Sequence, residues 1–180
     1  MKITFFAHST TTDNEKHIAT GWLQGELSQK GIQQAKDLPS LITDSSFSVV
    51  YTSDTKRAID SAELGFKMSH PIVIDYRLRE ANYGDFDGTD KSFKSDMTKF
   101  IEEPYPSGES YKDAEKRMRA FLEDLKTKHT PDDHIAVIGH EATQLSLDVI
   151  LGGKTWEQAI AENWRPAGKW QPGWVYELKF

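Results

Sequence analysis

Lys2-Ile3-Thr4-Phe5-Phe6-Ala7, followed at once by His8 and then by Ser9-Thr10-Thr11-Thr12-Asp13-Asn14, decides how this chain is read. The first six residues are a short apolar run of β-formers, which predicts a buried strand. The six after His8 form a polar loop. A histidine thrown out at the end of a buried strand stands in the crevice beyond the strand carboxyl ends, where open α/β sheets hold their ligands. A second unit matches the first: His134-Ile135-Ala136-Val137-Ile138-Gly139 is another buried run, with His140 just past it. Either histidine alone reads as an ordinary strand-end residue. The pair, in matching places at opposite ends of the chain, predicts one shared site.

Between these two units the elements alternate. Ser28 has the character of a helix N-cap, with Leu27 and Ile32 spaced as a hydrophobic staple. That helix is expected to run through Ala35 and to be disturbed at Pro39. Phe47–Tyr51 reads as a second strand, and Ser53 as the cap of a helix with Ile59, Ala62 and Phe66 on one face. Arg57 falls in the first turn of that helix, so it also lies near a strand carboxyl end. Pro71–Ile74 is a short third strand, and residues 89–103 read as one helix. Ser110 with Asp113 forms a capping box for a helix to about Lys128, with an apolar stripe from Tyr111 to Leu125. After the His134–Gly139 strand comes a mostly apolar helix from about Ala142 to Leu151, closed by Gly152-Gly153. Thr155 and Gln158 cap a further helix to about Asn163, and Trp174–Leu178 reads as an edge strand. Strands alternating with helices predict an α/β fold, a three-layer α/β/α sandwich on a mainly parallel sheet. One domain over residues 1–180 is expected, because 180 residues suffice for one sizeable core.

Composition narrows the function. The net charge of -6 argues against nucleic acid as a partner, since that binding starts from a basic surface. The chain has no cysteine, which excludes disulfides, cysteine-ligated zinc and a thiol nucleophile. No amino-terminal signal pattern is visible, and no apolar run approaches the length of a membrane span. A cytoplasmic protein with no membrane partner is expected.

The motifs together resemble the histidine phosphatase superfamily, which includes the cofactor-dependent phosphoglycerate mutases. The family opens with a strand, then Arg-His-Gly, a polar residue, Thr, two free positions and Asn. Here Ala7-His8-Ser9-Thr10-Thr11-Thr12-Asp13-Asn14 places His8, Thr11 and Asn14 in that pattern. Leu27-Ser28-Gln29-Lys30-Gly31 matches the family's first helix start. Ser53-Asp54-Thr55-Lys56-Arg57-Ala58 matches its Ser-x-x-x-Arg-Ala unit. Leu78-Arg79-Glu80 with Gly84 matches its Leu-x-Glu segment, and Pro106-Ser107-Gly108-Glu109-Ser110 its Pro-x-Gly-Glu-Ser signature. His140 stands where the closing His-Gly unit begins. Each match is weak alone; in this order and spacing they are specific, and they cover most of the chain.

The resemblance implies a phosphoglycerate mutase-like fold and a phosphohistidine mechanism. His8 would be the nucleophile, because a neutral imidazole is competent near neutral pH. Arg57, as a planar fork, would bind two phosphoryl oxygens. His140, Asn14 and Thr11 would complete the phosphate site. Glu80 would be the proton donor, protonating the leaving oxygen and later activating water. Its other reading is a surface ion pair with Arg77 or Arg79. No cofactor or metal is implied, because phosphoryl transfer depends mainly on positioning and electrostatics. A second donor set, His8, Asp13, His17 and Glu141, can be written for a metal, but four loop ligands can be found in almost any sequence. The substrate would be a small phosphorylated molecule. Only a short stretch separates Gly88 from Pro106, too short for the closing segments of the mutases, which favours hydrolysis.

Three departures from the family pattern carry as much information. Ala7 stands where the family has an arginine beside the nucleophile. Ser9 replaces a glycine. Glu141 replaces the glycine after the second histidine and puts a carboxylate where a phosphate dianion would feel it, although it also suits the positive end of the following helix. Three explanations compete: a basic residue from elsewhere (Lys16, Arg165 or Lys169) replaces the arginine; the substrate is less anionic than a phosphomonoester; or the protein is a binding module. Lastly, Trp156, Trp164, Trp170 and Trp174 crowd the tail. They could pack on the core, wall a pocket or make a homodimer contact.

Overall fold

A computed structural model describes residues 1–167, 170 and 173–180. In chain order the elements are β1 (Lys2–Ala7), α1 (Thr12–Glu15), β2 (Ile18–Ala19), α2 (Gln29–Asp37), β3 (Val49–Thr52), α3 (Lys56–Phe66), β4 (Ile72–Ile74), β5 (Thr89–Asp90), α4 (Tyr111–Lys128), β6 (His134–Gly139), α5 (Glu141–Ile150), α6 (Trp156–Ala161) and β7 (Trp174–Glu177). The main sheet has the order β4-β3-β6-β1-β7. Its first four strands are parallel, and β7 closes the edge antiparallel to β1.

Alternation along the central strands makes the two helical layers. Ile3 and Phe5 of β1, with Ile135 and Val137 of β6, pack under Met118, Phe121 and Leu125 of α4 and Leu147 of α5. Phe6, Ala136 and Ile138 point the other way, onto Ala62 and Phe66 of α3 and onto Leu38 beyond α2. Strands buried on both faces read as continuous apolar runs, as these two do. The three-layer α/β/α arrangement with a mainly parallel sheet is thus the one expected. The register pairs Ala7 with Gly139, and the ladder runs one residue further through His8 N–H donating to Gly139 O at 2.9 Å. Both histidines therefore leave the sheet at the same edge, side by side.

Two elements differ from expectation. Ser53 does not cap α3: Thr55 occupies the N-cap position and makes no side-chain cap bond. The Ser53 hydroxyl is committed elsewhere, as shown below. Residues 89–103 are not one helix. Thr89 and Asp90 are taken by pairing with β2, and the rest is 3₁₀ turn, broken at Asp96. Asp90 accepts from Ser92 N–H and Asp96 from Thr98 Oγ1, local bonds of the kind that compete with a regular helix. Met97 and Phe100 still bury in a satellite core with Tyr83 and Tyr105.

The other capping signals act where they were read. Ser28 accepts from Gly31 N–H, and Ser110/Asp113 and Thr155/Gln158 form reciprocal capping boxes. The tail rings pack on the body of the protein. Trp156 is buried and donates to Glu115, while Trp164 and Trp174 stack at 5.4 Å against the α4/α5 core.

One close approach ties α2 to the nucleophile loop. A Cβ on Gly31 would sit 1.9 Å from Thr10 O, a backbone atom that cannot turn aside. Gly31→Ala is therefore expected to destabilise the protein by about 1–3 kcal/mol, the usual cost of overpacking. Chemical denaturation measures it, and an unchanged midpoint would contradict this packing.

Candidate active site

His8 and His140 face each other at the strand ends, with ring centroids 5.0 Å apart. His8 is half-buried. Its Nδ1 lies 2.8 Å from Ser9 O. A carbonyl only accepts, so Nδ1 carries the proton and Nε2 is left with its lone pair. Burial first, then the Arg57 charge, with Arg165 and Lys94 adding, bring the His8 pKa down from 6.5 to about 3. The ring is neutral across the physiological range.

His140 is fully buried, the residue before α5. Arg57 Nη2 lies 3.2 Å from its Nδ1 and can only donate, so Nδ1 is bare and Nε2 carries the proton. Nε2 then donates to Ser53 Oγ at 2.7 Å. Burial, and after it Arg57, hold its pKa well below the ordinary value. This histidine is a neutral, doubly bonded ring.

Arg57 differs from expectation. It lies in the first turn of α3, only 1% exposed. Nη1 donates to Leu23 O at 2.6 Å and to Gln24 O at 3.2 Å, and Nη2 to Gly21 O at 2.7 Å. Both terminal nitrogens of the fork are thus spent on one loop and on His140, and only Nε is unpaired. The fork is not presented to open space.

Glu80 is not in a surface ion pair with Arg77 or Arg79, which pair with Asp75 and Asp54. It is buried, and its carboxyl group accepts from three backbone N–H groups: Ala81 and Ala142 at 2.9 Å on Oε1, and Glu141 at 3.1 Å on Oε2. Two of these are unpaired donors at the start of α5, so Glu80 joins that helix to the segment after β4. Arg117 fixes the same segment from α4, donating to the carbonyls of Arg77, Arg79 and Glu80. Glu109, from the Pro-Ser-Gly-Glu-Ser stretch, in turn holds Arg117. The Trp22 indole donates to Glu80 O at 2.8 Å.

Thr11 and Asn14 form a reciprocal capping box on α1, each side-chain oxygen accepting the other's backbone N–H at 3.0 Å. They order the loop after His8, and Asn14 remains exposed. Asp13 accepts from Thr20, and His17 lies exposed at φ 58°. Among the described residues, no three of the His, Asp and Glu side chains group as metal ligands.

Glu141, the unexplained carboxylate, is buried and fully engaged. Lys94 forms an ion pair with Oε2, and Asn163 Nδ2 donates to Oε1. Burial alone would raise its pKa; Lys94 and Arg165 overcome that and hold it low. Of the three cations weighed as replacements for the arginine at Ala7, Arg165 acts on this cluster. Lys16 is exposed beyond α1, and Lys169 lies outside the described residues. Lys94 was not legible as a site residue, because its stretch reads as an ordinary helix with a solvated lysine. Arg117 was missed because it falls between the stripe positions of a long helix. Nothing local to either residue marks it.

The neutral histidines have a thermodynamic consequence. In the unfolded chain each takes a proton near pH 6.5; folded, His8 does so only at about 3, and His140 and His134 are lowered too. The unfolded state therefore binds more protons below pH 6.5, and stability is lost as pH falls. The denaturant midpoint is expected to drop between pH 7 and 5, and to drop less in His8→Gln. A midpoint flat over that range would contradict the neutral pair.

The family model described as histidine phosphatase superfamily (branch 1) matches residues 3–167. The protein named "Putative phosphoserine phosphatase 2" from Hydrogenobacter thermophilus is 28% identical over 156 residues, 81% of this chain and 76% of its own. Phosphoglycerate mutase 1 of Saccharomyces cerevisiae is 34% identical over 110 residues, 58% of this chain but only 44% of its own. The chain thus matches less than half of the mutase's length. The structure of mycobacterial glucosyl-3-phosphoglycerate phosphatase in complex with VO3 superposes with a TM-score of 0.76 at 25% identity, covering 90% of this chain and 87% of that one. With the family model matched over residues 3–167, most of its length, the chain belongs to the histidine phosphatase superfamily, branch 1.

Proposed function

We propose that the protein is a metal-independent phosphatase that hydrolyses a small phosphomonoester through a phosphohistidine on His8. The observation that carries this reading is the His8 tautomer. Nδ1 is held by Ser9 O, so the lone pair of Nε2 is free and the ring is neutral, a nucleophile ready at neutral pH. In the first step Nε2 attacks phosphorus in line, the bond from phosphorus to the leaving oxygen breaks, and that oxygen takes a proton. In the second, water attacks the phosphohistidine, loses a proton and releases inorganic phosphate.

Glu80 is the proposed proton donor and, in the second step, the acceptor. A carboxylate offers about four lone-pair positions. Three are used by the N–H groups of Ala81, Glu141 and Ala142, which leaves one on Oε2 for the exchanged proton. His140 would support the developing charge through its Nε2–H once its ring turns to bring that donor from Ser53 Oγ to a phosphoryl oxygen. Asn14 is proposed as an exposed further donor at the phosphate, and Thr11, fully buried, as a donor only through its hydroxyl hydrogen. Arg57 can bind phosphate only by exchanging a loop carbonyl for a phosphoryl oxygen; otherwise it acts by orienting His140.

One observation favours a second reading. With the Arg57 fork and both His140 nitrogens already satisfied, and alanine at position 7, the phosphate site offers fewer ready donors than the family pattern implies. A binding module would hold phosphate without turnover. A phosphorylated hydroxy amino acid and a glycosylated hydroxy-acid phosphate are the first phosphomonoesters to try, because the similar proteins are named for phosphoserine and glucosyl-3-phosphoglycerate.

The purified protein is assayed for phosphate release from an aryl phosphate and from those two classes, with a chelator present. Turnover is expected to survive chelation and to fall about 10³-fold or more in His8→Ala. Equal activity in His8→Ala would reject the phosphohistidine route. Phosphate binding without turnover on any substrate would favour the binding module.

A further inference from the structure

We infer that Lys94 and Arg165 supply the phosphoryl-binding charge absent at Ala7, and that Glu141 is the positioning residue that holds them at the site. The inference rests on reading the site as a phosphate site.

Three separate segments converge here. Lys94 comes from the 3₁₀ stretch after β5, Glu141 is the first residue of α5 directly after His140, and Asn163 and Arg165 follow α6. Lys94 Nζ is bonded to Glu141 Oε2, and Asn163 Nδ2 to Glu141 Oε1. The Asn163 side-chain oxygen then accepts from Arg165 N at 3.1 Å and from Arg165 Nη1 at 3.4 Å. One carboxylate thus fixes a lysine directly and an arginine through one asparagine. The Arg165 guanidinium also lies 4.6 Å from the centre of the Trp164 ring, which sets its plane.

Both cations keep donors in hand. An ammonium has three N–H groups; Lys94 spends one on Glu141 and faces the Tyr83 ring at 4.4 Å, which leaves one for a ligand. Arg165 Nη2 is buried and has no partner among the described residues. A buried unpaired guanidinium nitrogen is costly unless a ligand completes it. The network lies beside the nucleophile, because Glu141 directly follows His140, whose ring is 5.0 Å from that of His8, and the Glu141 N–H donates to Glu80. Both charges also help to lower the His8 pKa. A phosphoryl group at His8 would therefore meet two cations without breaking the Glu141 network.

Held in this way, Glu141 acts with the opposite sign to that of a bare carboxylate. As a mere negative charge it repels phosphate, and neutralising it strengthens binding. As the holder of two cations it helps, and neutralising it weakens binding. A buried ion pair is also poor evidence for a stabilising role, because desolvation can consume the Coulomb gain.

The test is binding of orthovanadate and inorganic phosphate to the whole protein, followed by calorimetry, with thermal melts to confirm folding. Lys94→Met and Arg165→Met are each expected to weaken binding tenfold or more, with Lys94→Arg close to wild type. Glu141→Gln is expected to weaken it about fivefold. Adding Ala7→Arg to Lys94→Met is expected to restore most of the loss. Tighter or unchanged binding in folded Glu141→Gln, or unchanged binding in Lys94→Met, would overturn the inference while leaving the phosphatase reading intact. Lys94-dependent binding in a protein that turns nothing over would support it while defeating hydrolysis. No binding of either anion at millimolar concentration would also overturn it.

Discussion

The buried guanidinium of Arg57 is the interaction on which the site depends. A charge that is 1% exposed is tolerable only if its N–H groups are met, and three carbonyls of the 21–24 loop meet them. That bargain orders a glycine-containing loop with no regular structure of its own. The remaining reach of the fork falls on His140 Nδ1 and so selects that ring's tautomer. The same positive charge, after burial, is the largest influence keeping both histidines neutral. A lysine could not replace it, since one ammonium cannot span three carbonyls and a ring nitrogen.

Glu80 performs the matching service on the other side. Its carboxyl group takes the free N–H groups at the start of α5, the helix that begins beside His140. Arg117, held by Glu109, fixes the backbone that carries it. The Pro-Ser-Gly-Glu-Ser stretch is therefore the foundation of Glu80, and its glycine is required because a Cβ on Gly108 would meet Asn82 O at 2.2 Å. Motifs far apart in sequence are parts of one bracket.

Much of this was legible from the residues. The apolar runs of β1 and β6, two-sided and ending in histidine, fixed the parallel centre and the meeting of His8 with His140, because register follows from adjacent buried strands. Three N-caps were legible for the same local reason. Ser53 was misread because a serine after a strand is a cap by default, and only the tertiary position of His140 reassigns its hydroxyl. Residues 89–103 were misread because apolar spacing ignores both the pairing of Thr89 and Asp90 with β2 and the aspartates that break the helix. Lys94 and Asn163 escaped because their partner, Glu141, is distant in sequence. The departures at Ala7 and Glu141 looked like two losses of positive potential. In the fold Glu141 is neutralised by its partners.

The central claim is that His8 is a neutral imidazole with its proton on Nδ1 and a free Nε2. Imidazole nitrogen NMR of the protein, labelled in histidine, measures this directly. Between pH 5 and 8 the account predicts one His8 signal pattern, protonated at Nδ1, that does not titrate. A His8 ring that takes up a second proton near pH 6.5, or carries its proton on Nε2, would contradict it.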